Sequence, residues 1–159
     1  MATNKLHEFR ISKYNLELQE KKQPSNNEWT SFSDIGRCLG GKIVTLFDYI
    51  KAEDAYLEVV SCICNKLAVS KMQVVGIEDY DNLYPFGERY FTRSKEEIIT
   101  ITRDCLREKY WCKLITHHLE LHFGYDFYLY VCTTLDPSNI LDITNRVGLF
   151  VEFRESPYK

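Results

Sequence analysis

The stretch from Lys113 to Cys132 is typical of an antiparallel β-hairpin, because from His118 onward apolar and polar side chains alternate on both sides of a turn at 124–126. Successive side chains of a strand point to opposite faces, so the alternation divides this hairpin into two faces. The apolar face carries Leu119, Leu121, Phe123, Phe127, Leu129 and Val131. The polar face carries His118, Glu120, His122, Tyr128, Tyr130 and Cys132. The pattern therefore predicts a sheet with one face toward a core and one face rich in histidines and phenols.

Helical and strand patterns in the rest of the chain predict an α+β fold. In chain order, the predicted elements are a strand at 6–13, an irregular segment at 14–44 with turn composition at 21–27, a helix at 45–67, a strand at 72–77, a helix from 94 to about 110, the hairpin, a short helix at 137–147 and a strand at 149–153. We expect a single domain, 1–159, with a mostly antiparallel sheet of about five strands covered on one face by two long helices and one short helix.

Three local signals support the helix boundaries. Ser94 followed by Glu97 is the pattern of a capping box. Asp136 before Pro137 offers an N-cap and a proline at the first helical position, and Gly148 suits the position just past a helix end. In the first helix, an inward stripe is predicted to contain Leu46, Tyr49, Ile50, Leu57, Val60, Cys64 and Leu67.

Composition excludes several classes of protein. No apolar run approaches the ~20 residues that a membrane-spanning helix needs, and the N-terminus has no secretory signal pattern. The six cysteines are scattered without a Cys-x-x-Cys pair, so we expect reduced thiols, a cytoplasmic location and no zinc ribbon, with Cys62 the first thiol to be modified. The formal charge of −3 argues against nucleic-acid binding and permits a basic partner.

Glu53 breaks the pattern of the first helix because it falls among apolar positions such as Leu57 and Val60. A carboxylate on such a face must be paired or hydrogen-bonded. One interpretation is a general base or a ligand-binding acid. The other is a structural buried acid that anchors the irregular segment through Arg10, Arg37 or backbone amides, and this second interpretation is favoured.

The histidine face raises the question of a metal site. His118, Glu120 and His122 are alternate residues of one strand, and together they offer at most three ligands, arranged nearly in a line. Tetrahedral zinc prefers ligands that converge from separate elements. We therefore predict no metal and no cofactor, with an interaction surface including Tyr128 and Tyr130; a metal site at these three residues is the alternative. No phosphate-binding glycine motif and no nucleophile signature occurs.

Other segments suit a protein interface. The segment 28–36 contains Trp29, Phe32 and Asp34, which either present a recognition surface or plug the core and cap a turn. Acidic groups that can face a basic partner are Asp48, Asp54 and Glu58 on the first helix, and Glu78, Asp79 and Asp81 in the turn after the second strand.

A resemblance to known proteins is carried by the segments 10–15, 28–36, 111–114, 122–128 and 148–152, which look like those of a group of small, mostly uncharacterised bacterial proteins. In size and charge the chain also resembles the immunity proteins of bacterial toxin systems, including contact-dependent growth inhibition. That resemblance implies a cytosolic protein without catalytic residues that binds a cognate protein toxin and blocks its active site.

The sequence thus predicts a non-enzymatic binding protein, an immunity protein against a toxin domain, for which a basic nuclease is a candidate, with no nucleic acid or membrane as partner. The alternative is a small metal-dependent enzyme or ligand-binding domain that uses Glu53 or the face of His118, Glu120 and His122.

Overall fold

The computed structural model describes residues 5–15 and 28–159. The predicted turn at 21–27 lies outside the described residues. In chain order, the elements are β1 (His7–Ser12), β2 (Cys38–Leu39), β3 (Lys42–Ile43), α1 (Leu46–Leu67), β4 (Gln73–Glu78), α2 (Lys95–Leu106), β5 (Trp111–Ile115), β6 (Leu119–Phe123), β7 (Leu129–Thr133), α3 (Pro137–Val147) and β8 (Phe150–Phe153). Short 3₁₀ turns lie at Phe32–Asp34 and Tyr125–Phe127.

The main sheet has six strands in the order β4-β5-β6-β7-β1-β8, and all of its strand pairs are antiparallel. The α+β class and the antiparallel sheet are confirmed, but the predicted number of strands is too low. The segment 113–132 is not one hairpin: it contains part of β5 and of β7 and the whole of β6, because the chain also reverses at 116–118. The Thr116 hydroxyl accepts hydrogen bonds from the amides of His118 and Leu119 in this second turn.

Helix α1 begins after the capping residue Thr45, whose hydroxyl accepts from the Asp48 amide while the Asp48 carboxylate accepts from the Thr45 amide. The helix ends at Ala68, which adopts the left-handed conformation (φ 52°). Most of the predicted inward stripe is buried or half-buried. Leu46 is the exception: it lies in the first turn of the helix and is 57% exposed, and the next residue, Phe47, is 76% exposed.

Helix α2 begins as predicted, since the Ser94 hydroxyl accepts from the Glu97 amide. The reciprocal half of the capping box is wrong, because Glu97 accepts from the Arg93 amide and forms an ion pair with Arg89 instead. The helix ends at Leu106, four residues before the predicted end. Glu108 takes a positive φ of 58°, which a continuing helix does not allow, and this reverses the chain into β5.

The end of α3 matches its sequence signals. Asp136 accepts from the Ser138 amide, Pro137 opens the helix, and Gly148 (φ 75°) closes it. Helix α1 contacts both α2 and α3, and the three helices pack on one face of the sheet. The core between them includes fully buried side chains such as Ile11, Tyr56, Ile63, Leu121, Leu129 and Ile140.

The opposite face of the sheet carries the polar side chains, and the tail that follows β8, residues 154–159, covers part of it. Within this tail Ser156 is buried, and its amide donates to Glu8 on β1. Lys159 forms an ion pair with Glu8, and Lys113 donates to the carbonyl of Tyr158. Among the described residues, none of the helices is long and apolar enough to cross a membrane.

Candidate functional site

Glu53 is buried in the helix layer, with 1% of its surface exposed. Its two carboxylate oxygens accept from Arg107 Nε and Nη2, each at 2.8 Å, and Arg103 lies 3.7 Å away. The predicted partners are wrong, because Arg10 pairs with Glu152 and Arg37 pairs with Asp34. Arg107 follows α2, so Glu53 ties α1 to the end of α2. The geometry therefore matches the anchoring interpretation, in which a buried carboxylate is paired.

The segment 28–36 lies against the core. The ring of Trp29 meets the rings of Tyr49 and Phe127 at centroid distances of 5.3 and 5.1 Å, and the ring of Phe32 meets Tyr49 at 5.0 Å. Both side chains are half-buried, which corresponds to the plugging alternative.

Asp34 in the same segment is buried, contrary to the idea of a free interface acid. It accepts from the Thr30 amide at 2.8 Å and from Arg37 at 2.7 Å. Burial raises the pKa of Asp34, but the hydrogen bonds outweigh it and leave the pKa below its usual value.

The acidic residues of α1 form a solvated face. Asp48 belongs to the helix cap, and its bonds to Thr45 lower its pKa. Asp54 and Glu58 are exposed, and Glu58 accepts from the thiol of Cys62 at 3.3 Å.

His122 is the centre of the sheet's polar face. It is 1% exposed; its Nδ1 lies 2.6 Å from the Ser156 hydroxyl and its Nε2 lies 3.0 Å from Glu120 Oε2. Burial lowers the pKa of His122, although the neighbouring carboxylate of Glu120 opposes this shift. His118 does not join this group: it precedes β6, in the exposed turn at 116–118. The predicted triple of His118, Glu120 and His122 is therefore not brought together.

Tyr130 and Tyr128 lie on the same polar face, but neither forms an open surface. Tyr130 is buried under the tail, and its ring meets that of Tyr158 at 5.8 Å. Tyr128 is half-buried, with the Arg10 guanidinium 4.2 Å above its ring. The face predicted to bind a partner is largely covered by the chain itself.

An open cleft of about 390 Å³ lies beside the tail, between the turn after β4, the loop after α2 and the turn after β6. Its acidic residues are Glu78, Asp81 and Glu108, all exposed. Within residues 5–15 and 28–159, none of the three forms an ion pair. Asp79 is different, because its carboxylate accepts from the amides of Leu83 and Tyr84, each at 2.8 Å, and shapes the turn.

Aromatic side chains form the walls of this cleft. The rings of Trp111 and Tyr158 meet at 5.6 Å, and the Trp111 indole donates to the carbonyl of Phe123 at 2.5 Å. Tyr80 and Tyr125 stand at the rim, 94% and 82% exposed. We refer to this set of acids and aromatic rings as the acidic cleft. The lining also includes Lys109, which is paired with Asp104; among the described residues, its unpaired charged groups are the three carboxylates. Carboxylates and π faces together suit a cationic side chain.

A second cleft of about 370 Å³ lies between β2–β3, α1 and the end of α3. Three lysines line it, Lys13, Lys42 and Lys51, against two acids, Glu28 and Asp48. Lys13 is already engaged, since it pairs with Glu28 and its ammonium lies 4.1 Å above the Trp29 ring. Because lysines outnumber acids in its lining, this cleft suits a basic partner less well than the acidic cleft does.

Comparison with protein-family models, curated proteins and solved structures found no match to this chain. The geometry of the sites therefore carries the functional argument.

Sequence reasoning missed several residues of these sites. Tyr80, Glu108, Tyr125 and Tyr158 border the acidic cleft, and Ser156 contacts His122. The tail gives no periodic signal, so only its contacts assign it to the sheet. Tyr80 lies between two acids that the sequence did single out, and an aromatic residue within an acidic turn is the signal that could have found it.

Proposed function

We propose that this protein is a non-enzymatic binding protein, an immunity protein that occupies a cognate toxin domain, and that the acidic cleft receives basic side chains of the toxin. The proposal is based on one observation: the same open cleft is lined by three acids and by aromatic rings. The acids are Glu78, Asp81 and Glu108.

The lining chemistry supports an interface. Interface hot spots are enriched in tyrosine, tryptophan and arginine, and they cluster in well-packed pockets near the centre of an interface. Tyr80 and Tyr125 expose most of their surface, which a partner would cover. A guanidinium group can stack on such rings and pair with carboxylates at the same time.

The proposed mechanism is occlusion. A nuclease domain binds nucleic-acid phosphates with lysine and arginine side chains. A cleft with three acids and a net charge of −3 for the chain would attract that surface and accelerate association. Once the basic residues are engaged by carboxylates, they are no longer available to substrate. The acids of α1 would add to steering at longer range.

Co-expression with a toxin domain encoded beside this gene tests the proposal. Wild-type protein is expected to restore growth, and the purified pair is expected to bind in calorimetry. The double variant Glu78→Gln and Asp81→Asn should weaken binding at least ~10-fold, because it removes two charges from the centre of the interface. Binding should also weaken as the salt concentration rises.

The matched control is Asp54→Asn with Glu58→Gln, which removes the same charge from the exposed face of α1. It should change the association rate by a few-fold and leave dissociation nearly unchanged. Wild-type protein that neither protects cells nor binds such a toxin domain would contradict the proposed function. Equal effects of the two double variants would contradict the assignment of the acidic cleft.

A further inference from the structure

The geometry points to a site for a zinc-like divalent cation on the polar face of the sheet, formed by Glu120, His122 and Cys132. One ligand atom from each of these residues lies within 4.8 Å of the other two. This site is separate from the acidic cleft and does not depend on the proposed function.

The three residues form a triangle and not a line. Glu120 and Cys132 are directly opposite each other on β6 and β7, and His122 is two residues further along β6 on the same face. Cys132 therefore contributes from a second strand, which removes the objection that alternate residues of a single strand present their ligands in a row. Only small side-chain movements would bring the three atoms to bonding distance of one ion.

The ligand chemistry selects the metal. Carboxylate oxygen, imidazole nitrogen and thiolate sulfur are the three donor types that Zn²⁺ accepts, and a set with both nitrogen and sulfur is unsuited to Ca²⁺ or Mg²⁺. A tetrahedral ion with three protein ligands takes its fourth from solvent. Solvent reaches the cluster at Glu120, whose side chain is 28% exposed, while His122 and Cys132 are 1% and 3% exposed.

Ser156 suits both the metal-free and the metal-bound states of His122. Without metal, Nε2 faces Glu120 and Nδ1 faces the Ser156 hydroxyl. Because a carboxylate only accepts hydrogen bonds, the tautomer with its proton on Nε2 satisfies both contacts, with the hydroxyl donating to Nδ1. With metal on Nε2, the proton resides on Nδ1, and the same hydroxyl accepts it. A hydrogen bond to the second ring nitrogen fixes the tautomer and the ring orientation of a metal-ligating histidine.

Charges of both signs surround the cluster. Glu8 lies opposite Cys132 on β1, so the row Glu8, Cys132, Glu120 places a carboxylate on each side of the thiol, but Glu8 is paired with Lys159, and Lys113 lies opposite His122 on β5. Burial is the main cause that raises the pKa of Cys132; the two carboxylates add to this shift and Lys159 opposes it. A metal ion reverses the effect, because it stabilises the thiolate; the thiol proton is released to solvent on binding.

Titration of metal-free protein with Co²⁺, followed by absorption, tests the site. Wild-type protein is expected to bind one Co²⁺ per chain with a thiolate-to-cobalt charge-transfer band, and Zn²⁺ should displace it. Cys132→Ser should abolish the band. Cys62→Ser should retain it, and this control is matched because Cys62 also lies beside a carboxylate, that of Glu58.

Glu120→Gln provides a second variant at a partly exposed position, where folding is least affected. Loss of this ligand should weaken Co²⁺ binding at least ~10-fold, since even outer partners of metal ligands contribute that much. Circular dichroism of each metal-free variant verifies its fold. The inference is overturned by wild-type protein without the band, by a band that survives Cys132→Ser, or by unchanged affinity in Glu120→Gln.

Discussion

Replacement of Glu53 by leucine tests the anchoring role of the most deeply buried ion pair in the described structure. The variant removes two charge-assisted hydrogen bonds of 2.8 Å and leaves Arg107 without its carboxylate. Removal of one partner of a buried ion pair lowers the free energy of unfolding by about 3–5 kcal/mol. The Arg107 side chain is 26% exposed and Arg103 is 40% exposed, so both can turn toward water, and the lower end of that range, about 3 kcal/mol, applies.

Thermal unfolding followed by circular dichroism measures this effect. For a domain of this size, about 3 kcal/mol corresponds to a decrease of roughly 6–12 °C in Tm. Asp54→Leu, at the neighbouring exposed position, is the control and should change stability by at most ~0.5 kcal/mol. The double variant Glu53→Leu with Arg107→Leu should recover most of the loss, because no charge remains without a partner. A Glu53→Leu protein with the wild-type Tm would refute the anchoring argument.

Three further outcomes are expected. Cys38 is the exposed thiol, so a thiol reagent under native conditions should modify it before Cys62, in contrast to the order expected from sequence; mass spectrometry of partially modified protein establishes the order. The pKa of Asp34 is lower in the folded protein than in the unfolded chain, where it is about 3.8, so the ionised carboxylate stabilises the fold above that pH. This stabilisation is lost as the pH falls through the folded pKa. The free energy of unfolding of Asp34→Asn, measured in urea, should therefore depend less on pH in that acidic range. The Cβ added in Gly124→Ala would lie 3.0 Å from the Tyr130 ring, and this close contact should lower the free energy of unfolding by about 1 kcal/mol. An unchanged urea midpoint would show that the ring moves aside without cost.

Local patterns in the sequence are sufficient for most elements. The apolar spacing of 45–67, the serine before α2 and the proline–glycine pair around α3 each depend on interactions within a few residues, so their predictions agree with the structure. The early end of α2 was missed because a positive φ at Glu108 has no side-chain signature. The extra turn at 116–118 was missed although the sequence marks it: the alternation stops at Leu114 and Ile115, and three polar residues follow before it resumes at Leu119.

Some features of the candidate sites are visible in the sequence, and others appear only in the structure. Glu53 is visible because it interrupts the apolar pattern of a helix. The polar face of β6 and β7 is visible because it follows the alternation of a strand. Only the tertiary structure decides that Arg107 neutralises Glu53, that Cys132 takes the place of His118 beside Glu120 and His122, and that the tail covers the histidine. These pairings join residues far apart in the chain, and their free energy depends on burial and distance, which the packing of strands and helices sets and no local pattern encodes.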